Sequence, residues 1–212
     1  MILVEIGLFI LAFLIGGIPT GYIIVKVFKK RDIREYGSGN IGFSNVLRTE
    51  GIIPGVCVLI IDAGKAFATT YFLSFQYSNI ELLRVLLGVS VILGNIFTPF
   101  LGFKGGKGVG TALGVAISVN PAGAILSLCG FVPVVIFTRY MSVGSLTAVT
   151  IYIISSIVMY KLTHLSVYGT LFAAILFFLV VLRHVSNIKR LIRGEENKIG
   201  IGKKWWRKAS TQ

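Results

Sequence analysis

The stretch VGTALGVAISVNPAGAILSLCGFVPVVIFT (residues 109–138) decides the fold. It carries no charged residue over 30 positions. One crossing of a bilayer takes about 20 apolar residues, so the run is too long for a single upright helix. Asn120-Pro121 sits near its middle, and Asn-Pro is a turn signal. The stretch therefore reads as a hydrophobic hairpin, with a single tilted helix as the alternative. Its first arm is short, which suits a half-helix sheltered inside a bundle.

Outward from the hairpin, apolar runs recur at 2–28, 52–75, 82–101, 142–160 and 164–183. With the two arms this makes seven. Hydrophobic residues are 55% of the 212 and charged residues only 14%, against about 25% in a soluble domain. Mean hydropathy is +0.85. These values exclude a disordered chain, a coiled coil and an ordinary soluble enzyme. The expected fold class is all-α, a polytopic membrane bundle of seven transmembrane helices. In the first run, Gly16-Gly17-Ile18-Pro19 predicts a kink and close helix packing. Met1–Val4 lacks a basic region and no A-x-A site follows, so no cleavable signal is expected.

The chain holds 21 Lys and Arg against 8 Asp and Glu, a formal charge of +13. With the N-terminus outside and seven crossings, eighteen of the 21 fall on the inside, and Arg84 and Lys161 outside. Lys65 lies within a span. Cytoplasmic loops collect Lys and Arg, so this split puts the C-terminus in the cytoplasm. The basic excess then reads as topology and as attraction to anions, with no nucleic-acid partner. Cys57 and Cys129 lie in apolar runs without metal-site spacing, and no metal is expected. No repeat relates the two halves. Beyond Ile199, the basic tail with Trp205-Trp206 reads as an amphipathic anchor on the membrane.

Three polar clusters fall on the inside face. The first, GSGNIGFSNVLR (37–48), contains G-x-G-x-x-G but lies between two spans, not in a βαβ unit, so the dinucleotide reading fails. Its glycines let the backbone approach a ligand. Ser38, Gly39, Asn40 and Asn45 offer neutral hydrogen-bond groups, and Arg48 a fork suited to phosphate. The second, FKGGKGVGT (103–111), resembles a phosphate-binding loop, although Gly108 follows Lys107 where that motif needs Ser or Thr. A glycine-rich turn that opens a helix offers free N–H groups and a positive dipole end, here from Gly105 and Gly106, and Lys107 adds a full charge.

The third cluster, RHVSNIKRLIRGEENK (183–198), places His184 and Asn187 on one helix face. His184 stands as a base, a donor to phosphate or an interfacial histidine. Asp62 and Lys65, at i and i+3 inside a span, need partners and either pair with each other or serve the site. Arg139, Ser142 and Ser145 are candidates to line the same cavity. His164 lies on the outside face and receives no role.

These motifs, with IPTGY (18–22) and DAGK (62–65), occur in the order of the bacterial acyl-phosphate:glycerol-3-phosphate acyltransferase family, which the chain resembles over nearly its whole length. The resemblance implies a seven-span enzyme of the bacterial inner membrane with its active site on the cytoplasmic face. It would move a fatty acyl group from acyl phosphate to glycerol 3-phosphate, giving lysophosphatidic acid and phosphate, the first step of phospholipid synthesis. It implies no cofactor, no metal and no acyl-CoA. Carried over by motif position, Ser38, Lys107, His184 and Asn187 become the catalytic candidates. Gly39, Asn40, Asn45, Arg48, Gly105, Gly106, Ser142 and Ser145 become the substrate-binding candidates.

Residues 1–185 then form a single transmembrane catalytic domain and 186–212 a basic amphipathic cytoplasmic tail. Partners are the two substrates and membrane lipids, with no obligate protein partner. The chain departs from the common pattern at Asn95, where members often carry His, at Ala66 and at Phe43-Ser44. It also lacks the His-x4-Asp dyad of another acyltransferase group: Lys189 and Gly169 stand five residues after the two histidines. The rival reading is a membrane transporter or binding protein for a phosphorylated metabolite.

Overall fold

The computed structural model describes residues 2–75, 80–163 and 166–200. Ten α-helices follow in order among them: α1 (Ile2–Gly17), α2 (Thr20–Lys29), α3 (Phe43–Glu50), α4 (Ile52–Ser74), α5 (Ile80–Ile96), α6 (Val109–Val119), α7 (Pro121–Thr138), α8 (Met141–Thr163), α9 (Val167–Arg183) and α10 (Val185–Ile192). The tail beyond Gly200, with Trp205-Trp206, and His164 lie outside the described residues.

All seven apolar runs fold as helices. Five spans are long and apolar enough to cross a membrane: α1 with α2, α4, α5 with the turn after it, α7 and α8. A sixth combines α9 and α10, bent by 55° between them. At 11 residues α6 extends only about 16 Å, short of a hydrocarbon core of roughly 30 Å. It runs buried instead, packed against α4, α5, α7 and α9.

Asn120 and Pro121 make the hairpin turn for a local reason. Pro121 takes the first helical position of α7, where its missing N–H costs nothing, and the Asn120 side chain accepts from Gly123 N–H at 3.0 Å. The same Asn120 donates to Ser156 on α8 at 3.2 Å. The C-terminal end of α6, at this same turn, finds an unexpected partner. Arg84, counted in the sequence as a loop charge, reaches from α5 to donate to the Ser118 carbonyl at 3.1 Å. Its guanidinium lies over the Tyr71 ring and its Nε donates to Ser74. A cation at a helix C-terminus meets carbonyls that lack intrahelical donors.

Small residues bring the helices to backbone contact. A Cβ on Gly16 would strike the Val91 carbonyl, one on Gly94 the Phe13 carbonyl, and one on Gly114 the Ala63 carbonyl. The kink at Gly17–Pro19 separates α1 from α2, as Pro19 has no N–H to continue the ladder. The exposed carbonyls are recovered from other helices. Lys65 Nζ donates to Ile18 O at 2.7 Å, and Thr98 donates to Gly17 O. Asp62 pairs with Lys65 at 2.7 Å and accepts from Thr20 at 2.7 Å. The two charges inside the span thus hold each other and lock the kink to α4.

Breaking a buried pair on one side leaves an uncompensated charge, a loss of about 3–5 kcal/mol. Asp62→Ala is expected to lower the thermal midpoint in detergent well below that of the double variant Asp62→Ala/Lys65→Met. Equal midpoints for the two variants would show that the pair does not hold the kink.

Candidate active site

The three polar clusters meet in one pocket of about 590 Å³ at one end of the bundle. Loop 37–42 and α3 form one wall, the loop before α6 a second, and the α9–α10 junction a third. In the first loop Gly37 and Gly39 have φ of +62° and +70°, a region that favours glycine. Asn45, almost fully buried, clamps this loop: its Oδ1 accepts from Ser38 N–H at 2.9 Å and its Nδ2 donates to Tyr36 O at 3.0 Å. Asn45, expected to bind substrate, therefore spends its carboxamide on holding Ser38 at the pocket. Asn40 accepts from Gly42 N–H at 2.8 Å and also lines the pocket. Arg48 lines it with a buried Nε that has no acceptor among the described residues.

The glycine loop works differently from its sequence reading. Gly105 N–H donates to Ile96 O at 3.1 Å and Gly106 N–H to Asn95 O at 2.9 Å. These donors, expected to be free for an anion, are taken by carbonyls at the end of α5. The glycines are needed for the close approach: a Cβ on Gly105 would strike Asn95 O. The free donors are the first-turn N–H groups of α6, at Val109, Gly110 and Thr111, which have no carbonyl one turn earlier to accept them. The Thr111 hydroxyl beside them is buried without a partner among the described residues.

Lys107, half-buried, bonds through Nζ to Asn187 Oδ1. Burial lowers its pKa to about 8, against the opposing pull of Glu196 and with the help of Arg190, Arg48 and Arg183. His184 is buried, with Nδ1 2.8 Å from Val180 O. A carbonyl only accepts, so Nδ1 carries the hydrogen, and neutral His184 keeps the lone pair of Nε2 free. Arg183 donates to Gly106 O at 3.2 Å, tying the third wall to the second.

Glu196 was missed in the sequence. Its carboxylate accepts from Asn187 Nδ2 at 2.6 Å, Ser142 Oγ at 2.9 Å and Arg190 Nε at 2.8 Å. Burial alone would push this carboxyl up, but those three hydrogen bonds hold it below the ordinary value. By taking the Asn187 NH2 group, Glu196 turns the amide oxygen toward Lys107. The available signal was an acid inside an otherwise basic motif. Ser142 belongs to the pocket, whereas Ser145 donates to Met141 O and lines a different cavity. Arg139 is exposed. Asp62 and Asn95 also border the pocket.

That other cavity is an apolar groove among α6, α7, α8 and α9, adjacent to the polar pocket, with which it shares Phe43 and Val109 as lining residues. The polar pocket presents Arg48 and Lys107 with Glu196, and Arg183 and Arg190 line an adjoining opening that shares Ser38, Asn40 and Lys107 with it. The groove presents Ala112, Ala116, Ala124 and Leu176. Such a pair of spaces takes an amphiphile with a phosphate head. Gly105→Ala is expected to raise the dissociation constant of a phosphate-bearing ligand by tenfold or more, with helix content intact by circular dichroism. Unchanged affinity would show that the docked loop does not shape the pocket.

Comparison with known proteins agrees with this geometry. A family profile described as "Glycerol-3-phosphate acyltransferase" matches residues 6–194. Among relatives, "Glycerol-3-phosphate acyltransferase 2" of Lactobacillus johnsonii is 40% identical over 204 residues, 96% of this chain and 91% of that one. The "Glycerol-3-phosphate acyltransferase" of Endomicrobium trichonymphae is 39% identical, covering 95% of this chain and 99% of its own length. Among solved structures, the glycerol 3-phosphate form of PlsY (YgiH), an integral membrane glycerol 3-phosphate acyltransferase, superposes with a TM-score of 0.83 at 34% identity, over 92% of this chain and 96% of that one. Its lysophosphatidic acid form superposes with a TM-score of 0.81 at 33% identity, over 92% and 95%. By fold, pocket and sequence, the chain belongs to the glycerol-3-phosphate acyltransferase family.

Proposed function

We propose that this protein transfers a fatty acyl group from acyl phosphate to glycerol 3-phosphate in a bacterial inner membrane. The observation that carries the reading is the adjacency of a cationic pocket and an apolar groove that share Phe43 and Val109 as lining residues. The acyl chain lies in the groove, and both phosphates lie among Arg48, Lys107, Arg183, Arg190 and the first-turn N–H groups of α6. We place the chain in the membrane with seven crossings, α6 counting as one with its turn, the N-terminus outside and the pocket on the cytoplasmic face. Residues 1–185 supply the transmembrane part. The segment after it supplies Asn187 and Glu196 before passing into the basic tail.

The reaction needs a hydroxyl, an activated carbonyl and a place for negative charge. A hydroxyl oxygen of glycerol 3-phosphate attacks the acyl carbonyl carbon. The bond from that carbon to the phosphate oxygen breaks, and inorganic phosphate leaves with its electron pair. Nε2 of His184 accepts the hydroxyl hydrogen as a hydrogen bond and aligns the attacking oxygen. The proton passes on to the departing phosphate. Ser38 and Asn40 border the same pocket and contact the acceptor or the donor head. Lys107, held by Asn187, stabilises charge as it develops on the acyl oxygen and the leaving group. No covalent acyl-serine is invoked, because no base bonds to the Ser38 hydroxyl among the described residues.

Palmitoyl phosphate and glycerol 3-phosphate, mixed with purified protein, are expected to give lysophosphatidic acid and phosphate in equal amounts, and palmitoyl-CoA neither. Lys107→Ala and Arg48→Ala are each expected to lower kcat/KM by about 100-fold or more, the loss typical of one charge-stabilising donor. Folded protein that binds glycerol 3-phosphate but turns over no acyl phosphate would contradict the reading.

The pH dependence follows from Lys107. Only its charged form attracts phosphate, and it loses its proton near pH 8 in the free protein. Affinity is therefore full below pH 8 and declines as pH rises through that value. KM for the phosphate-bearing substrates is expected to climb between pH 8 and pH 9.5, and Lys107→Arg to remove the climb. A wild-type KM that stays flat across that interval would exclude Lys107 as the titrating group.

A further inference from the structure

The apolar groove ends at one side chain. Along α6 its lining runs from Val109 to Ala116, and along α8 from Ser145 to Tyr152. Each is seven residues on, about 10 Å of helix rise. The walls near that depth are small, with Ala112, Ala116, Ala124 and Ala148, so little side-chain volume crowds the space. Tyr152 is the exception. It is buried, its ring meets Phe172 edge-on with centroids 6.2 Å apart, and its hydroxyl reaches across to the Ala116 carbonyl at 3.4 Å. One helical turn further, Asn120 and Ser156 bond to each other and close the space between α6 and α8 with satisfied polar groups.

We propose that Tyr152 is the floor of the acyl groove and sets the longest acyl chain that binds in full. The assignment rests on reading the groove as the acyl site. Methylenes placed above the ring gain burial, about fourfold in affinity for each. Methylenes beyond it meet a phenol tethered to the opposite wall and must turn aside. The tether matters because it holds the ring across the groove, where a leucine at the same position would swing clear. Ala124, on α7 at the same depth, leaves the space just above the ring.

The test measures kcat/KM for acyl phosphates of increasing length, from butanoyl to stearoyl, in detergent. For the wild type, kcat/KM rises with length and then breaks. Tyr152→Ala is expected to move the break to longer chains. Ala124→Phe raises the floor and is expected to lower the ratio of octanoyl to butanoyl kcat/KM by about tenfold or more, as a few lost methylenes require. Ile154→Ala, on the lipid-exposed side of the same helix, leaves the wild-type break in place. If Tyr152→Ala does not fold, Ala124→Phe carries the test alone. Variants that scale all lengths equally would overturn the floor while leaving the acyltransferase reading intact. A wild type without turnover on any acyl phosphate overturns both.

Discussion

A backbone carbonyl freed inside an apolar layer has no water to accept from, and leaving it unpaired costs more than most side-chain contacts contribute. Three interruptions in this bundle create such carbonyls, and each is answered from another element. Lys65 and Thr98 take those at the Gly17–Pro19 kink. Gly105 and Gly106 N–H groups take those at the end of α5. Arg84 takes the one at the end of α6. The second of these docks the glycine loop, which in turn aims α6 and leaves its first-turn N–H groups facing the pocket. The polar site is thus a consequence of how the broken helices are repaired.

The docked loop then fixes the electrostatics. Lys107 sits beside α6 in a buried position, where the charged form is disfavoured unless an anion arrives. Arg48 and Arg183 each hold a buried Nε without an acceptor among the described residues. Two carboxylates border the pocket: Glu196 is already engaged by Arg190, Asn187 and Ser142, and Asp62 by Lys65 and Thr20. Charge of one sign gathered out of water is unfavourable on its own. In the proposed function a dianionic phosphate relieves it.

Composition and periodicity made the helices legible, because an apolar run of span length has few other fates. The hairpin was legible from Asn120-Pro121, while the i, i+3 spacing of Asp62 and Lys65 left open whether they pair or serve the site; they pair, and Asp62 also borders the pocket. What the sequence hid depends on partners far along the chain. Glu196 reads as one acid in a basic tail until α8 brings Ser142 against it. Gly105 and Gly106 read as free anion donors until the end of α5 takes their hydrogens. Ser145 lies one turn beyond Ser142 on α8, and that single turn moves it from the polar pocket to the apolar groove. Arg84 reads as a loop charge because nothing local marks the helix end it caps.

The two residues shared by pocket and groove explain why one short helix matters so much. Val109 opens α6 and faces both spaces; Phe43 opens α3 and does the same. In the proposed reaction, a head group held by the first-turn N–H groups of α6 directs its attached chain along the same helix toward Ala116. The bond between head and chain must then lie at the level of Val109, beside Lys107 and the free Nε2 of His184. An amphiphile cleaved at the junction of its polar and apolar parts is thereby placed with its scissile bond at the charges and its tail out of water. The length of α6 matches this task better than that of a full span: a longer helix would carry the groove past the Asn120–Ser156 bond, where polar groups wall it off.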